Sequence, residues 1–131
     1  SFADIKYLLN AENKTFMFDE TQDYNELIKY YKKISTSGEC VQILTDEIAI
    51  PYLLNKPTCT RFNVMEVVHP KKMQIIFIEE LKVKKPKVIL YKSDKFSFKN
   101  GESLSLVNTY INKNYNFHSK FKNWTFVKIN K

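Results

Sequence analysis

The sequence predicts an α/β domain, small and three-layered, with a mostly parallel sheet flanked by helices and a Rossmann-like topology that lacks a dinucleotide motif. Three observations predict it. Short apolar, partly β-branched runs alternate with segments of helical period in the order strand, helix, strand, helix, strand, which is the order of crossover connections. The chain has 131 residues, of which 44% are hydrophobic and 15% aromatic, enough to fill one core without metals. Its only glycines are Gly38 and Gly101, so neither a phosphate-cradling loop nor a dinucleotide fingerprint can be built.

The elements follow in order. Phe2 to Leu9 reads as a short helix and Asn10 to Lys14 as a turn. Thr21 and Asp23 offer N-caps for a clearer helix to Ile34, with Tyr24, Leu27, Ile28 and Tyr31 inward and Lys29, Lys32 and Lys33 outward. Gly38 ends that segment, and Cys40 to Thr45 is the first strand. Asp46 can cap a helix through Leu54, with Ile48, Tyr52 and Leu53 inward, stopped by Asn55, Lys56 and Pro57. Thr60 to Val64 is the second strand. Pro70 suits a first helical position before Lys71 to Lys82, whose buried stripe is Met73, Ile76, Phe77 and Leu81. Lys87 to Tyr91 is the third strand, Glu102 to Asn112 a further helix with Leu104, Val107, Tyr110 and Ile111 inward, and the segment from Trp124 to Ile129 a last strand at the sheet edge. No repeat or linker divides residues 1–131, so they form one domain.

Composition limits the function classes. No run approaches the ~20 apolar residues of a membrane span, and the most apolar stretch, Met73 to Ile78, meets Glu79 and Glu80 at once. The chain opens at Ser1 without the charged-then-apolar start of a signal peptide, so it reads as a piece of a longer protein. Net charge is +7 but uneven: residues 1–66 carry 7 Lys/Arg and 10 Asp/Glu, whereas residues 67–131 carry 14 Lys and 4 Asp/Glu. A basic half of that kind attracts nucleic acid or anionic lipid. Arg61 is the single arginine, although bidentate phosphate recognition favours Arg, and a general lysine-rich surface accounts better for the charge. A cytoplasmic nucleic-acid-binding module that uses the basic C-terminal half is the alternative reading.

Cys40 and Cys59 allow one intramolecular pairing. In an oxidising compartment they can close a disulfide, and in a reducing one they are two buried thiols; both readings stand at this point. Asp46 and Glu47 follow the first strand at its C-terminal end, where α/β sheets place their ligand crevice, although Asp46 serves equally as a helix cap. Thr60 and Arg61 flank the next predicted strand end. His69 and His118 have no metal-ligand spacing, and a Cys59–His69 nucleophilic pair is weaker than a surface His69 ahead of Pro70. Glu79 and Glu80 read as a solvated helix face. Tyr115, Phe117, Phe121 and Trp124 among Lys113, Lys120 and Lys122 mix aromatics and cations as single-strand platforms do, but core and edge packing explains them better. No catalytic, metal or cofactor site is expected.

A resemblance joins these pieces. Thr45-Asp46 after a strand, Pro51-Tyr52-Leu53-Leu54-Asn55-Lys56-Pro57, then Thr58-Cys59-Thr60-Arg61-Phe62, a helix with Gln74, Phe77, Ile78 and Leu81, and Lys85-Pro86-Lys87-Val88-Ile89-Leu90-Tyr91 form a pattern from Cys40 to Tyr91. It resembles the soluble C-terminal region of bacterial multi-spanning membrane proteins of the glycosyltransferase C type, the group that includes proteins similar to aminoarabinose transferases and protein mannosyltransferases. The resemblance implies a non-catalytic domain on the extracytoplasmic face of the bacterial inner membrane, periplasmic or extracellular. Its partners would be the membrane-spanning part of the same polypeptide and a polyprenyl-phosphate sugar or glycan acceptor. It implies an oxidised Cys40–Cys59 pair and carries over no catalytic residue. Asp46, Glu47, Thr60 and Arg61 are the candidate ligand-binding residues, with Arg61 meeting an anionic phosphate or sugar.

Overall fold

The computed structural model describes residues 14–45, 49–62, 65–92 and 104–131. The predicted helix over Phe2 to Leu9 lies outside them. Helix α1 spans Lys14–Ile34. It begins well before the predicted caps at Thr21 and Asp23, because no glycine or proline interrupts Lys14 to Asp23. Its inner stripe is Leu27, Ile28 and Tyr31, and Lys29, Lys32 and Lys33 are exposed, as the period requires. The chain then turns through Gly38 at φ 86°, a left-handed value that glycine adopts without strain.

Strand β1 is only Gln42–Ile43, shorter than Cys40 to Thr45, and it is followed by α2, Ala49–Leu54. Ile50 and Leu54 are buried in α2, while Tyr52 and Leu53 are half-buried, so its phase differs from the expected one. Asn55 ends α2 at φ 52°, with Asn55 N–H donating to the Tyr52 carbonyl (3.1 Å) and Lys56 N–H to the Pro51 carbonyl (3.1 Å), a Schellman closure. A short 3₁₀ turn, Met65–Val68, leads to α3, Lys71–Lys84, for which Pro70 is the N-cap rather than the first helical residue. Strand β2 is Val88–Lys92, α4 is Ser105–Asn114, and α4 runs directly into β3, Tyr115–Phe121, which pairs with β4, Trp124–Ile129.

The sheet order is β1-β2-β4-β3. Only β1 and β2 are parallel; β2–β4 and β4–β3 are antiparallel, so the sheet is mixed and neither mostly parallel nor Rossmann-like. The cause is the C-terminal hairpin. A two-residue connection, Lys122-Asn123, returns the chain antiparallel, and β4 inserts between β2 and β3 instead of lying at the edge.

Of the expected strand from Thr60 to Val64, Thr60 to Phe62 form no strand, and Asn63 and Val64 lie outside the described residues. Thr58 makes a single parallel bridge to Val41, after which side chains compete with the ladder: Thr58 Oγ1 donates to the Thr60 carbonyl (2.6 Å) and Phe62 N–H to Thr60 Oγ1 (3.1 Å).

Strand alternation divides the core between the two sheet faces. Val41, Ile43, Val88, Leu90, Trp124 and Phe126 pack beneath α1 and α2. Leu44, Ile89, Val127 and Tyr115 pack beneath α3, α4 and the 3₁₀ turn through Phe77, Leu81, Val107 and Ile111. Helices therefore flank the sheet on both sides, and the protein is a mixed α/β fold.

Two buried glutamines tie the layers. Gln74 on α3 donates from Nε2 to the His69 carbonyl (2.8 Å) and accepts at Oε1 from the Leu106 and Val107 N–H groups (3.0 and 3.3 Å), satisfying donors at the start of α4. Gln42 does the same service for the 57–62 loop.

Candidate functional site

The loop 57–62 closes over the outer edge of β1 and is held in three ways. Val41 N–H donates to the Pro57 carbonyl and Cys59 N–H to the Val41 carbonyl, both at 3.0 Å. A disulfide joins Cys40 to Cys59, with Cα atoms 4.9 Å apart. Gln42, fully buried in β1, then clamps the loop from below. Its Oε1 accepts from Thr60 N–H (3.1 Å) and Thr60 Oγ1 (2.9 Å), and its Nε2 donates to the carbonyls of Phe62 (3.3 Å) and Ile43 (3.1 Å). An unpaired buried amide is costly, so this side chain and the loop specify one another.

Because Thr60 and Phe62 are both drawn inward, Arg61 between them must project outward, and its side chain is 68% exposed. It does not hang in solvent. Glu80, on the flank of α3, accepts from Arg61 Nε at 2.5 Å with one carboxylate oxygen and from Arg61 backbone N–H at 3.1 Å with the other. Desolvation works to raise the Glu80 carboxyl, but the hydrogen bonds from the Arg61 side chain and backbone, with its charge, outweigh it and hold the group below its ordinary value. Glu79, by contrast, is exposed and pairs with Lys82 at 3.1 Å. Of the two glutamates read as a solvated face, only Glu79 is one.

Between this loop and α3 runs an open groove of about 520 Å³. Cys59, Ile75, Ile76 and Val83 make its apolar wall, and Arg61 and Glu80 its polar rim. The guanidinium is fixed through Nε, and its two terminal nitrogens have no acceptor among the described residues. The site can therefore receive an apolar group beside an anion. Arg61 was legible as a candidate in the sequence. Glu80, 19 residues away, was not, because nothing local marks a partner across a loop and a helix.

Thr60 is 5% exposed and belongs to the clamp beneath the site, not to its surface. Asp46 and Glu47 lie outside the described residues. Cys59 is bonded to Cys40 and is no nucleophile, which removes the Cys59–His69 pair; His69 is an exposed residue ahead of Pro70, as expected. Among the described residues no group of three or more His, Cys, Asp and Glu could hold a metal, and no helix is long and apolar enough to cross a membrane.

The aromatic and cationic tail is taken apart by the hairpin. Tyr115 and Trp124 are buried, and Tyr115 donates from its hydroxyl to the Pro86 carbonyl at 2.5 Å. A β-bulge between Phe117 and Ser119 shifts the register, so that Phe117 opposes Val127 on one face while Phe121 opposes Trp124 on the other. Phe121 consequently stacks on Tyr30 of α1, ring centroids 5.1 Å apart, and Phe117 alone of the four is left exposed. Packing accounts for the other three, Tyr115, Phe121 and Trp124.

Comparison of the chain with protein-family models, with curated proteins and with solved structures returns no match.

Proposed function

We infer that the chain is a non-catalytic extracytoplasmic domain of a membrane-embedded, glycosyltransferase-like protein on the outer side of the bacterial inner membrane, assisting substrate access or assembly. The observation that carries the reading is the Cys40–Cys59 disulfide, since such bonds form and persist in oxidising compartments. The resemblance from Cys40 to Tyr91 supports it further, because its described residues fall on successive elements: β1, α2, the clamped loop, the 3₁₀ turn, α3 and β2. Arg61, held by Glu80 at a groove with an apolar wall, is the group to meet an anionic donor or glycan acceptor.

Thiol labelling of protein taken from its native compartment, with and without reductant, tests the location. Blocked thiols that appear only after reduction support it, and two freely labelled cysteines refute it. Arg61→Ala in the full-length parent tests the role: activity falls while the domain stays folded, whereas unchanged activity removes Arg61 from the site.

A further inference from the structure

Helix α3 is apolar on two sides. Phe77 and Leu81 face the core, yet Ile75 and Val83 on the opposite side are 48% and 78% exposed. They stand eight residues apart, about 12 Å along the axis, with Glu79 between them on the same face and held by Lys82, and Ile76 and Cys59 continue the apolar surface into the adjoining groove. Nothing in the packing of the described chain accounts for this second stripe.

Its surroundings are cationic. Lys71, Lys72, Lys84 and Lys85 are exposed along the same segment, while Lys82 and Lys87, also exposed, are paired with Glu79 and Glu39. The two carboxylates there are neutralised by cations, Glu79 by Lys82 and Glu80 by Arg61. Aliphatic groups ringed by ammonium groups on long flexible stems match a lipid–water boundary, where the aliphatics reach the acyl region and the ammonium groups stay at phosphate depth. A protein partner would be met by aromatic and arginine anchors, and nucleic acid by stacked aromatics. Here the one arginine, Arg61, is tied to Glu80 and the groove lining holds no aromatic, so exposed Ile and Val among lysines serve neither.

We propose that the outer face of α3, with the groove beside it, docks on an anionic phospholipid bilayer. The helix does not insert, since its other face is committed to the sheet; Ile75 and Val83 enter the interface and Lys71, Lys72 and Lys84 pair with phosphates. The inference rests on this surface and not on the glycosyltransferase-like parent.

Flotation of the 131-residue chain with vesicles of phosphatidylcholine, with and without phosphatidylglycerol, tests it. Binding is expected only with phosphatidylglycerol and weakens with salt. Each lysine near an anionic surface contributes about fivefold, so Lys72→Ala with Lys84→Ala lowers affinity roughly 25-fold. Val83→Asp abolishes flotation with an unchanged circular dichroism spectrum, as its exposure allows. Equal binding to both vesicles, no binding, or wild-type flotation of Val83→Asp overturns the proposal. So does a single-stranded oligonucleotide bound in preference to vesicles. None of these outcomes bears on the redox state of Cys40 and Cys59, so the two readings fail separately.

Discussion

Replacing Gln42 by Met keeps the unbranched length of the side chain and removes its four hydrogen bonds. Part of the loss is cushioned: Thr60 Oγ1 still donates to the Phe62 carbonyl at 3.2 Å. The buried Thr60 N–H has no such alternative among the described residues, and stranding it adds about 1–3 kcal/mol to the loss of ordinary bonds. A destabilisation of about 2–3 kcal/mol is expected, which at an m-value of about 2 kcal/mol/M lowers the urea midpoint by roughly 1 M with the slope unchanged. Thr60→Val removes the hydroxyl bond of the same contact and leaves the backbone one. The double variant should therefore fall short of additivity by about 1 kcal/mol or more. Two results refute the reasoning: a loss below about 0.5 kcal/mol for Gln42→Met, or strictly additive variants. The site should register the change as well, because a loosened loop frees Arg61 and lets the Glu80 carboxyl drift up towards its ordinary value, readable by NMR titration.

Three other outcomes follow from single features. Cys40→Ala with Cys59→Ala opens a loop of 19-residue separation and should cost about 3 kcal/mol in denaturant unfolding. Glu80 has a folded value below its ordinary 4.5, so its contribution is present above that value and is lost as pH falls through the lowered one. Wild type and Glu80→Gln should thus differ by a constant amount near neutrality, under about 1 kcal/mol for so exposed a pair, and converge in acid; urea midpoints across pH check this. Asn108 on α4 is 5% exposed, and neither its Oδ1 nor its Nδ2 has a partner among the described residues. Asn108→Leu should raise stability by about 1 kcal/mol, measured as a higher melting temperature, and a fall would reveal a hydrogen bond to that amide.

What the sequence shows well is what local periodicity controls. The inner stripe of α1, the stop at Asn55 and the helix ending near Lys84 all depend on residues within one or two turns of each other. The sheet depends on distant pairings, and there the reading fails. Strand β3 carries Asn116, His118 and Ser119, and its bulge breaks the period of two, so no alternation marks it as a strand. The turn before β4 contains no glycine, and Lys122 takes φ 52° where Gly or Asn would have announced a hairpin. Thr60 has strand propensity, but its hydroxyl and amide are claimed by Gln42, an attraction across 18 residues that no local pattern records. At the candidate site the result was mixed for the same reason: Arg61 stood out as the lone arginine, while Glu80 looked like any helical surface charge.

The position of β4 sets the order in which the fold can assemble. It is next to last in space but the last described strand in sequence, and its two neighbours hydrogen-bond to it and not to each other. Until residues 124–129 arrive, β2 has, among the described residues, only the two-residue β1 beside it and β3 has no partner. The hairpin, whose contacts are local, is thus the natural nucleus, and β1, paired to β2 across 47 residues, closes late because its loop-closure entropy is the larger. During synthesis from the N-terminus, α1, α2 and α3 would wait with their apolar stripes uncovered. A ribosome-bound chain halted before Trp124 has emerged should be protease-sensitive, and emergence of residues 124–129 should protect the described residues together.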